Sequence, residues 1–300
     1  MKIIPNENIL DRLARVILAE ILFIIALFWF SGTGQVVFYV MAAAMLITAG
    51  TGFCGLYKVL GINTEKQDNK KVSKVVLGLF IVIFVVIAVA GSYYSNFFTK
   101  KFFLEDYNRM NNYYKQTLFY TGQDKRVEAL DNYTKLVSEF TLFNNKYQKF
   151  HPYVLKKDSQ FNADLVKVSD IITGLEEDVK DGDLQEAHIN FEQVRPIFQD
   201  ILKRNGFSML AVSLVDFHDA MEEIIAKADA KDLAGVINVY PGVSDKLKAV
   251  EAEANDSEIQ AIRARLEEVL VLAKTGNADS LSAKAAELKS AFVKVYLKRG

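Results

Sequence analysis

Few residues of this sequence have the types and spacing that catalysis or metal binding requires. Cys54 is the one cysteine of the chain, so an intramolecular disulfide and a multi-cysteine metal site are both excluded. No two of the histidines, His151, His188 and His218, stand at the i, i+4 spacing that would put a pair of zinc ligands on one helical face. No nucleophile is paired with a general base. The sequence therefore predicts no metal site, no catalytic residues and no enzyme.

Two polar residues lie within long apolar segments. Glu20 lies near the start of the first segment, and a carboxylate inside a membrane is a functional candidate by default. It could also lie near the lipid headgroups and pair with a basic neighbour. Cys54 closes the second segment, where it is either a reactive thiol or an inert membrane cysteine. Both readings stay open for each residue.

The apolar segments themselves have the length of membrane spans. A bilayer core needs about 20 apolar residues per helix. Three segments meet this length, Leu13–Phe30, Gln35–Cys54 and Val75–Tyr94, and none of them contains a proline. Aromatic residues collect at the ends of the first and third segments, where interfaces should lie. We expect three transmembrane helices.

The distribution of cations predicts the orientation of these helices. Basic residues precede the first span and fill the loop between the second and third spans, at Lys2, Arg12, Arg15, Lys58, Lys66, Lys70, Lys71 and Lys74. The positive-inside rule places both segments in the cytoplasm. The N-terminus is then cytoplasmic, and the domain that follows the third span is periplasmic if the cell has an outer membrane.

Two short motifs in this part of the chain resemble a known family. The segment Asn8–Arg15, followed by an apolar span, and the segment Thr51–Thr64 resemble the opening and closing motifs of the YgaP-type inner-membrane domain. The resemblance covers roughly residues 6–64 and departs at Gly55 and Ala19, where proline and glycine are expected. It implies a bacterial inner-membrane protein that contacts lipid, and it implies no activity. Sulfur-transfer domains are fused to this domain elsewhere in the family, but none is present here.

Beyond the third span the pattern is helical throughout. Apolar residues recur at alternating spacings of three and four, and one such stripe consists of Leu210, Leu214, Phe217, Met221, Ile224 and Ala228. This spacing gives each helix one apolar seam, as in antiparallel bundles. No alternating stretch of useful length indicates a strand. The net charge of −1 gives no indication of nucleic-acid binding.

The soluble part also repeats itself. Asp158 and Asp256 each open a helix, and each repeat ends in a basic pair followed by glycine, with Gly206 and Gly300 as the last residues. We therefore predict an all-α protein in which three transmembrane helices are followed by two tandem antiparallel four-helix bundles. The expected domains are residues 1–98, residues 99–206 and residues 207–300.

Each expected bundle resembles the periplasmic four-helix cytochromes of the b and c-prime type. Asp219–Ile224 resembles the segment that supplies the axial methionine of that family, here Met221, and Met110 has the comparable place in the first bundle. The partner histidine is missing, because Val293 and Gln199 follow the aromatic residue of the last helices. The interpretation is no cofactor, with haem b bound through Met110 or Met221 as the alternative.

The first bundle is unusually rich in tyrosine. Most tyrosines of the chain lie between Tyr93 and Tyr153. Tyrosine suits an interface that is buried in a complex and wet in the free protein. Four of these residues are the candidate anchors for a protein partner or a second copy of the chain: Tyr107, Tyr113, Tyr114 and Tyr120.

Three functions remain compatible with these features. The leading hypothesis is a non-catalytic, membrane-anchored accessory or scaffold protein whose extracytoplasmic bundles dock a protein partner or a ligand. The first alternative is a haem- or metal-binding electron carrier on a degenerate cytochrome bundle. The second is an extracytoplasmic ligand sensor, which is disfavoured because the cytoplasmic segments are short and contain no output domain.

Overall fold

The computed structural model describes residues 4–65 and 72–299 of the chain. These residues are helical or irregular, with no strand among them, so the predicted all-α class is confirmed. They form two compact units. Unit 1 comprises residues 1–100 and 144–162, and unit 2 comprises residues 101–143 and 163–300. Lys2, Lys66, Lys70, Lys71 and Gly300 lie outside the described residues.

Unit 1 begins with a tight helical hairpin. Helix α1 (Ile9–Trp29) packs along helix α2 (Gly32–Thr51). Phe30 and Ser31 alone connect the two helices, so α2 begins before Gln35, where the sequence placed the start of the second span. The turn is completed by Gly32, whose φ of 62° is a conformation that glycine adopts at little cost. A short helix α3 (Gly55–Leu60) follows and ends at Gly61.

The third apolar segment is part of a much longer helix. Helix α4 (Lys74–Val86), a π-helical turn (Ile87–Gly91) and helix α5 (Ser92–Thr121) form one helix of 48 residues. The sequence predicted a span that ends at Tyr94 and a separate first bundle that begins at residue 99. One helix continues through this boundary instead, because no proline or capping glycine interrupts residues 92–121, and the end of the membrane span stays a prediction.

Two helices of the described chain are long and apolar enough to cross a membrane, α2 and the helix from Lys74 to Thr121. Helix α1 is of similar length but carries Arg12, Arg15 and Glu20 as well as Asp11. The π-helical turn packs against α1. At Gly91 a side chain would meet Ile24, since a Cβ atom there would lie 3.2 Å from Ile24 Cδ1. The count of three spans stays a prediction.

Residues 144–162 of unit 1 cover the end of α1. A 3₁₀ turn (Tyr153–Leu155) follows Pro152, and the Tyr153 ring lies 5.0 Å from the ring of Phe28. Lys156 Nζ donates to the carbonyl oxygens of Leu27 and Phe30, at 2.7 and 2.9 Å. A lysine in this place satisfies carbonyl groups that the helix end leaves free.

The first part of unit 2 contains shorter helices than the sequence suggested. After α6 (Arg126–Tyr147) come α7 (Phe161–Gly174), α8 (Glu176–Lys180), α9 (Leu184–Phe191) and α10 (Val194–Arg204). The break between α9 and α10 precedes Pro196. Proline has no amide hydrogen for the carbonyl of residue 192, and the loss of this hydrogen bond favours a break there.

The last four helices of unit 2 form a closed antiparallel set. Helices α11 (Met209–Asp229), α12 (Leu233–Glu253), α13 (Ser257–Lys274) and α14 (Leu281–Arg299) each pack on the next, and α14 packs on α11. The predicted α11 stripe is buried from Leu214 to Ala228. Burial of a large apolar side chain stabilises the fold by about 1.5–3 kcal/mol.

Turn geometry supports the internal repeat. Asp124 between α5 and α6 and Lys231 between α11 and α12 both have a φ of 54°, which non-glycine residues rarely adopt. Asp256 caps α13 as expected, because its carboxylate accepts from the amides of Glu258 and Ile259. Helices of both expected bundles belong to the same compact unit, and their division at residue 206 stays a prediction.

Candidate functional site

The tyrosines proposed as partner anchors differ in burial. Tyr107 and Tyr114 are buried, with 6% and 3% of their surface exposed, whereas Tyr113 and Tyr120 are half-buried. Phe103, Tyr107, Met110 and Tyr114 follow a 4-3-4 spacing, which puts them on one face of α5. Tyr107 and Tyr114 are therefore core residues of unit 2 and do not act as exposed anchors.

The buried tyrosines are held by aromatic contacts and backbone hydrogen bonds. The Tyr107 ring lies 5.1 Å from the ring of Phe198 in α10. Tyr114 Oη donates to the carbonyl of Phe191 at 2.9 Å, and Tyr133 Oη donates to that of Ile172 at 2.8 Å. Burial raises the pKa of Tyr114 to about 12, so its hydroxyl stays a donor at neutral pH.

A surface patch remains exposed at the turn between α5 and α6. We call it the hairpin tip and define it as Phe119, Tyr120, Lys125 and Val127. Phe119 is 57% exposed and Val127 is 80% exposed. The rings of Phe119 and Tyr120 meet edge to face at 5.3 Å, and Lys125 Nζ lies 5.9 Å from the centre of the Tyr120 ring. This patch combines apolar area with one cation.

A partly open cavity of about 180 Å³ lies among α5, α10, α11 and α12 of unit 2. Its walls include Tyr107, Tyr114 and Phe198. Lys115, Arg195 and Asp216 contribute charged groups, and the asparagine side chains of α5 contribute amides. We call it the aromatic cavity. It can accommodate a small molecule that has both an apolar body and a polar group.

A more open groove of about 430 Å³ lies between α5 and α11. Glu105 on α5 and Asp219 on α11 line it, and with His218 they place one ligand atom each within 4.8 Å of one another. Imidazole and carboxylate groups are ligands for divalent transition metals. The sequence offered no sign of this group, because Glu105 is more than a hundred residues from His218. In the structure Glu105 pairs with Lys101 and His218 Nδ1 lies 3.2 Å from Asp219 Oδ1.

The two haem candidates are fully enclosed by protein. Met110 and Met221 have 1% and 0% of their surface exposed and lie on the apolar faces of α5 and α11. Methionine is a common filler of such cores. The other histidines serve local packing: His188 Nδ1 lies 2.9 Å from the carbonyl of Leu118, and the His151 ring packs on Phe161 at 5.4 Å.

The two motifs that resemble the inner-membrane family lie against each other in unit 1. Asn6 forms a reciprocal pair with the backbone of Cys54, since its Nδ2 donates to the carbonyl at 2.9 Å and its Oδ1 accepts from the amide at 2.8 Å. The amides of Asn6 and Glu7 both donate to the carbonyl of Gly52. Arg12 donates to the carbonyls of Ala49 and Gly50 at the end of α2.

An ion cluster lies beside this backbone pair. Arg15 Nε is 2.9 Å from Glu7 Oε1 and 3.1 Å from Asp11 Oδ1, and its guanidinium lies 4.7 Å from the centre of the Tyr57 ring. Thr64 Oγ1 donates to Asp11 Oδ2 at 3.2 Å. Burial raises the pKa of Glu7, and the attraction of Arg15 opposes that rise. The cluster ties the start of α1 to the segment after α2.

The intramembrane candidates have different surroundings. Both carboxylate oxygens of Glu20 are enclosed and have no hydrogen-bond partner in the described part of the chain. The expected basic neighbour is not Arg15, whose guanidinium contacts Glu7 and Asp11. Cys54 is buried, and the contacts of Asn6 with this residue are to its backbone.

Through these contacts a polar cluster joins the start of α1 to the segment after α2. Residues 1–68 match the family model described as the transmembrane domain of inner membrane protein YgaP-like proteins. The match includes both motifs and confirms the resemblance of the N-terminal part. It indicates an inner-membrane protein in contact with lipid. No curated protein and no solved structure matches the chain.

Proposed function

We propose that this chain is a non-catalytic, membrane-anchored accessory protein whose helical unit 2 docks a protein partner outside the cytoplasm. The observation that carries the proposal is the hairpin tip. An exposed apolar patch is characteristic of an interaction site. Phe119 and Val127 stay exposed there, although neighbouring aromatic residues of α5 are buried in the core.

The orientation rests on the cations near the membrane helices. Arg12, Arg15 and Lys58 lie where α1 begins and α2 ends, at the same end of the hairpin. By the positive-inside rule this end faces the cytoplasm. The residues after the third span then lie on the opposite side, in the periplasm of a cell that has one.

The chemistry of the tip indicates the kind of partner. Aromatic residues at the centre of an interface supply much of the binding energy. Lys125 beside the Tyr120 ring adds a charge that would favour an acidic residue on the partner. The proposed partner is therefore a protein surface with an apolar centre and an acidic rim, in a neighbouring membrane complex or in a second copy of the chain.

The test is affinity purification of the full chain from its native membrane in a mild detergent. Phe119→Glu should lose the co-purifying partner, because the charge would be buried without compensation. Val271→Glu is the matched control, since Val271 is 56% exposed on α13, a helix that is not part of the tip. Equal recovery of the partner with both variants would contradict the proposal.

A second candidate function is favoured by one observation, the group formed by Glu105, His218 and Asp219. It supports the alternative of a metal-binding electron carrier. The same purified protein tests it through metal content and the visible spectrum. A stoichiometric metal that is lost in His218→Ala would favour this alternative over the accessory protein.

A further inference from the structure

The lining of the aromatic cavity includes a side-chain amide with unused hydrogen-bonding capacity. Asn111 lines the cavity with 8% of its surface exposed, and it has no hydrogen bond to any residue that the structure describes. Its neighbour Asn108 donates to the carbonyl of Val212 at 3.0 Å. The Asn111 amide is therefore a group that a ligand would bind.

The charges around the cavity do not balance. Asp216 pairs with Lys246 at 2.7 Å, and Arg195 pairs with Glu192 at 3.1 Å. Lys115 has no ion pair among the described residues. Desolvation lowers the pKa of Lys115, Asp216 opposes this effect, and Lys246 and Arg195 add to it. Lys115, an exposed residue of the cavity lining, thus lacks an anionic partner.

The walls and the volume of the aromatic cavity limit which ligands can bind there. Three aromatic rings, those of Tyr107, Tyr114 and Phe198, provide an apolar surface. The volume of about 180 Å³ is below the roughly 300–1,000 Å³ typical of pockets for drug-sized ligands. A cavity of this volume accommodates a small metabolite.

We propose that the aromatic cavity is a binding site for a small organic carboxylate with an apolar body. The carboxylate pairs with Lys115 and lies near Arg195. The Asn111 amide donates a hydrogen bond to it, and the aromatic walls contact the apolar body. This site is separate from the hairpin tip, so either proposal can fail without the other.

The test uses para-fluorobenzoate as the probe and the full chain in nanodiscs of uncharged lipid. Fluorine NMR measures its binding, with empty nanodiscs as the blank. Para-fluorobenzylamine has the same ring and the opposite charge, so it should bind less tightly than the carboxylate. Lys115→Gln should weaken the binding of para-fluorobenzoate about tenfold, since a hydrogen bond to a charged group is lost.

Two further variants distinguish binding in the cavity from non-specific electrostatic attraction. Asn111→Leu should also weaken binding, because it removes the amide from the cavity. Lys135→Gln is the control, since Lys135 lies on α6 and pairs with Asp131. Circular dichroism checks that each variant keeps its helical content. Should Asn111→Leu fail to fold, Arg195→Gln takes its place.

Three results would overturn the proposal. The first is no binding of para-fluorobenzoate at millimolar concentration. The second is equal binding of the amine and the carboxylate. The third is a loss of affinity in Lys135→Gln as large as that in Lys115→Gln.

Discussion

The side chain of Asn6 and the backbone of Cys54 form a reciprocal pair of hydrogen bonds, at 2.9 and 2.8 Å, across 48 residues of sequence. Both residues are buried. The pair joins the segment before α1 to the segment after α2. It therefore closes the hairpin at the end where the two family motifs meet.

Replacement of Asn6 should destabilise this hairpin. Asn6→Leu leaves the amide and the carbonyl of Cys54 without partners, at a cost of about 2–4 kcal/mol. Thermal denaturation in nanodiscs measures the change. Cys54→Ala is the control, because the bonds are to the backbone and survive it. A Cys54→Ala variant as unstable as Asn6→Leu would show that the thiol, rather than the hydrogen-bonded pair, matters.

Replacement of Glu20 should stabilise the protein, in contrast to replacement of Asn6. Its carboxylate is enclosed without a partner in the described chain, and a buried polar group of this kind destabilises a fold. Glu20→Leu should raise the stability to unfolding by about 1–3 kcal/mol, measured by the same thermal assay. Arg15→Leu should lower stability, because Glu7 and Asp11 would lose their cation. If Glu20→Leu lowers stability instead, the carboxylate has a stabilising partner.

The stability of unit 2 should depend on pH through the carboxylate of Asp256. A hydrogen bond from Arg299 lowers the pKa of Asp256, and the amides of Ile259 and Glu258 act in the same direction. A carboxylate with a lowered folded pKa stabilises the fold above its unfolded pKa of about 3.9 and loses that contribution as pH falls further. Asp256→Asn keeps a helix cap without the charge. The variant should melt below the wild type at neutral pH, and the gap should close towards pH 3.

A gap between wild type and Asp256→Asn that stays constant from neutral pH to pH 3 would contradict this assignment. Lys135→Gln serves as a control for the loss of an exposed ion pair elsewhere, and such a pair contributes little.

Topology provides a fourth prediction. Alkaline phosphatase fused after Gly300 should be active, because the enzyme matures only outside the cytoplasm. A fusion after Asn63, between the second and third spans, should be inactive at a similar expression level. The reverse pattern would invert the orientation and move unit 2 into the cytoplasm.

Much of the fold could be predicted from local patterns. The seam of α11 and the Asp256 cap of α13 follow directly from residue spacing and capping chemistry. The continuation of α4 into α5 was harder to predict from the sequence. Polar residues after Tyr94 resemble the end of a span, yet they are compatible with a helix that simply leaves the membrane.

The candidate site was less predictable than the fold. The tyrosine content of α5 indicated binding, but the 4-3-4 spacing of Phe103, Tyr107, Met110 and Tyr114 already indicated a core face. The aromatic cavity and the group around His218 depend on contacts between distant helices. Residue types along one helix do not specify which groups a second helix brings within reach.

The most direct test of the account is photo-crosslinking in intact native membranes. A photoreactive amino acid replaces Phe119 at the hairpin tip in one variant and Val271 on α13 in another, two positions of nearly equal exposure. The account predicts one discrete crosslinked protein from position 119 and none from position 271. A discrete product from position 271 alone, with none from position 119, would contradict it.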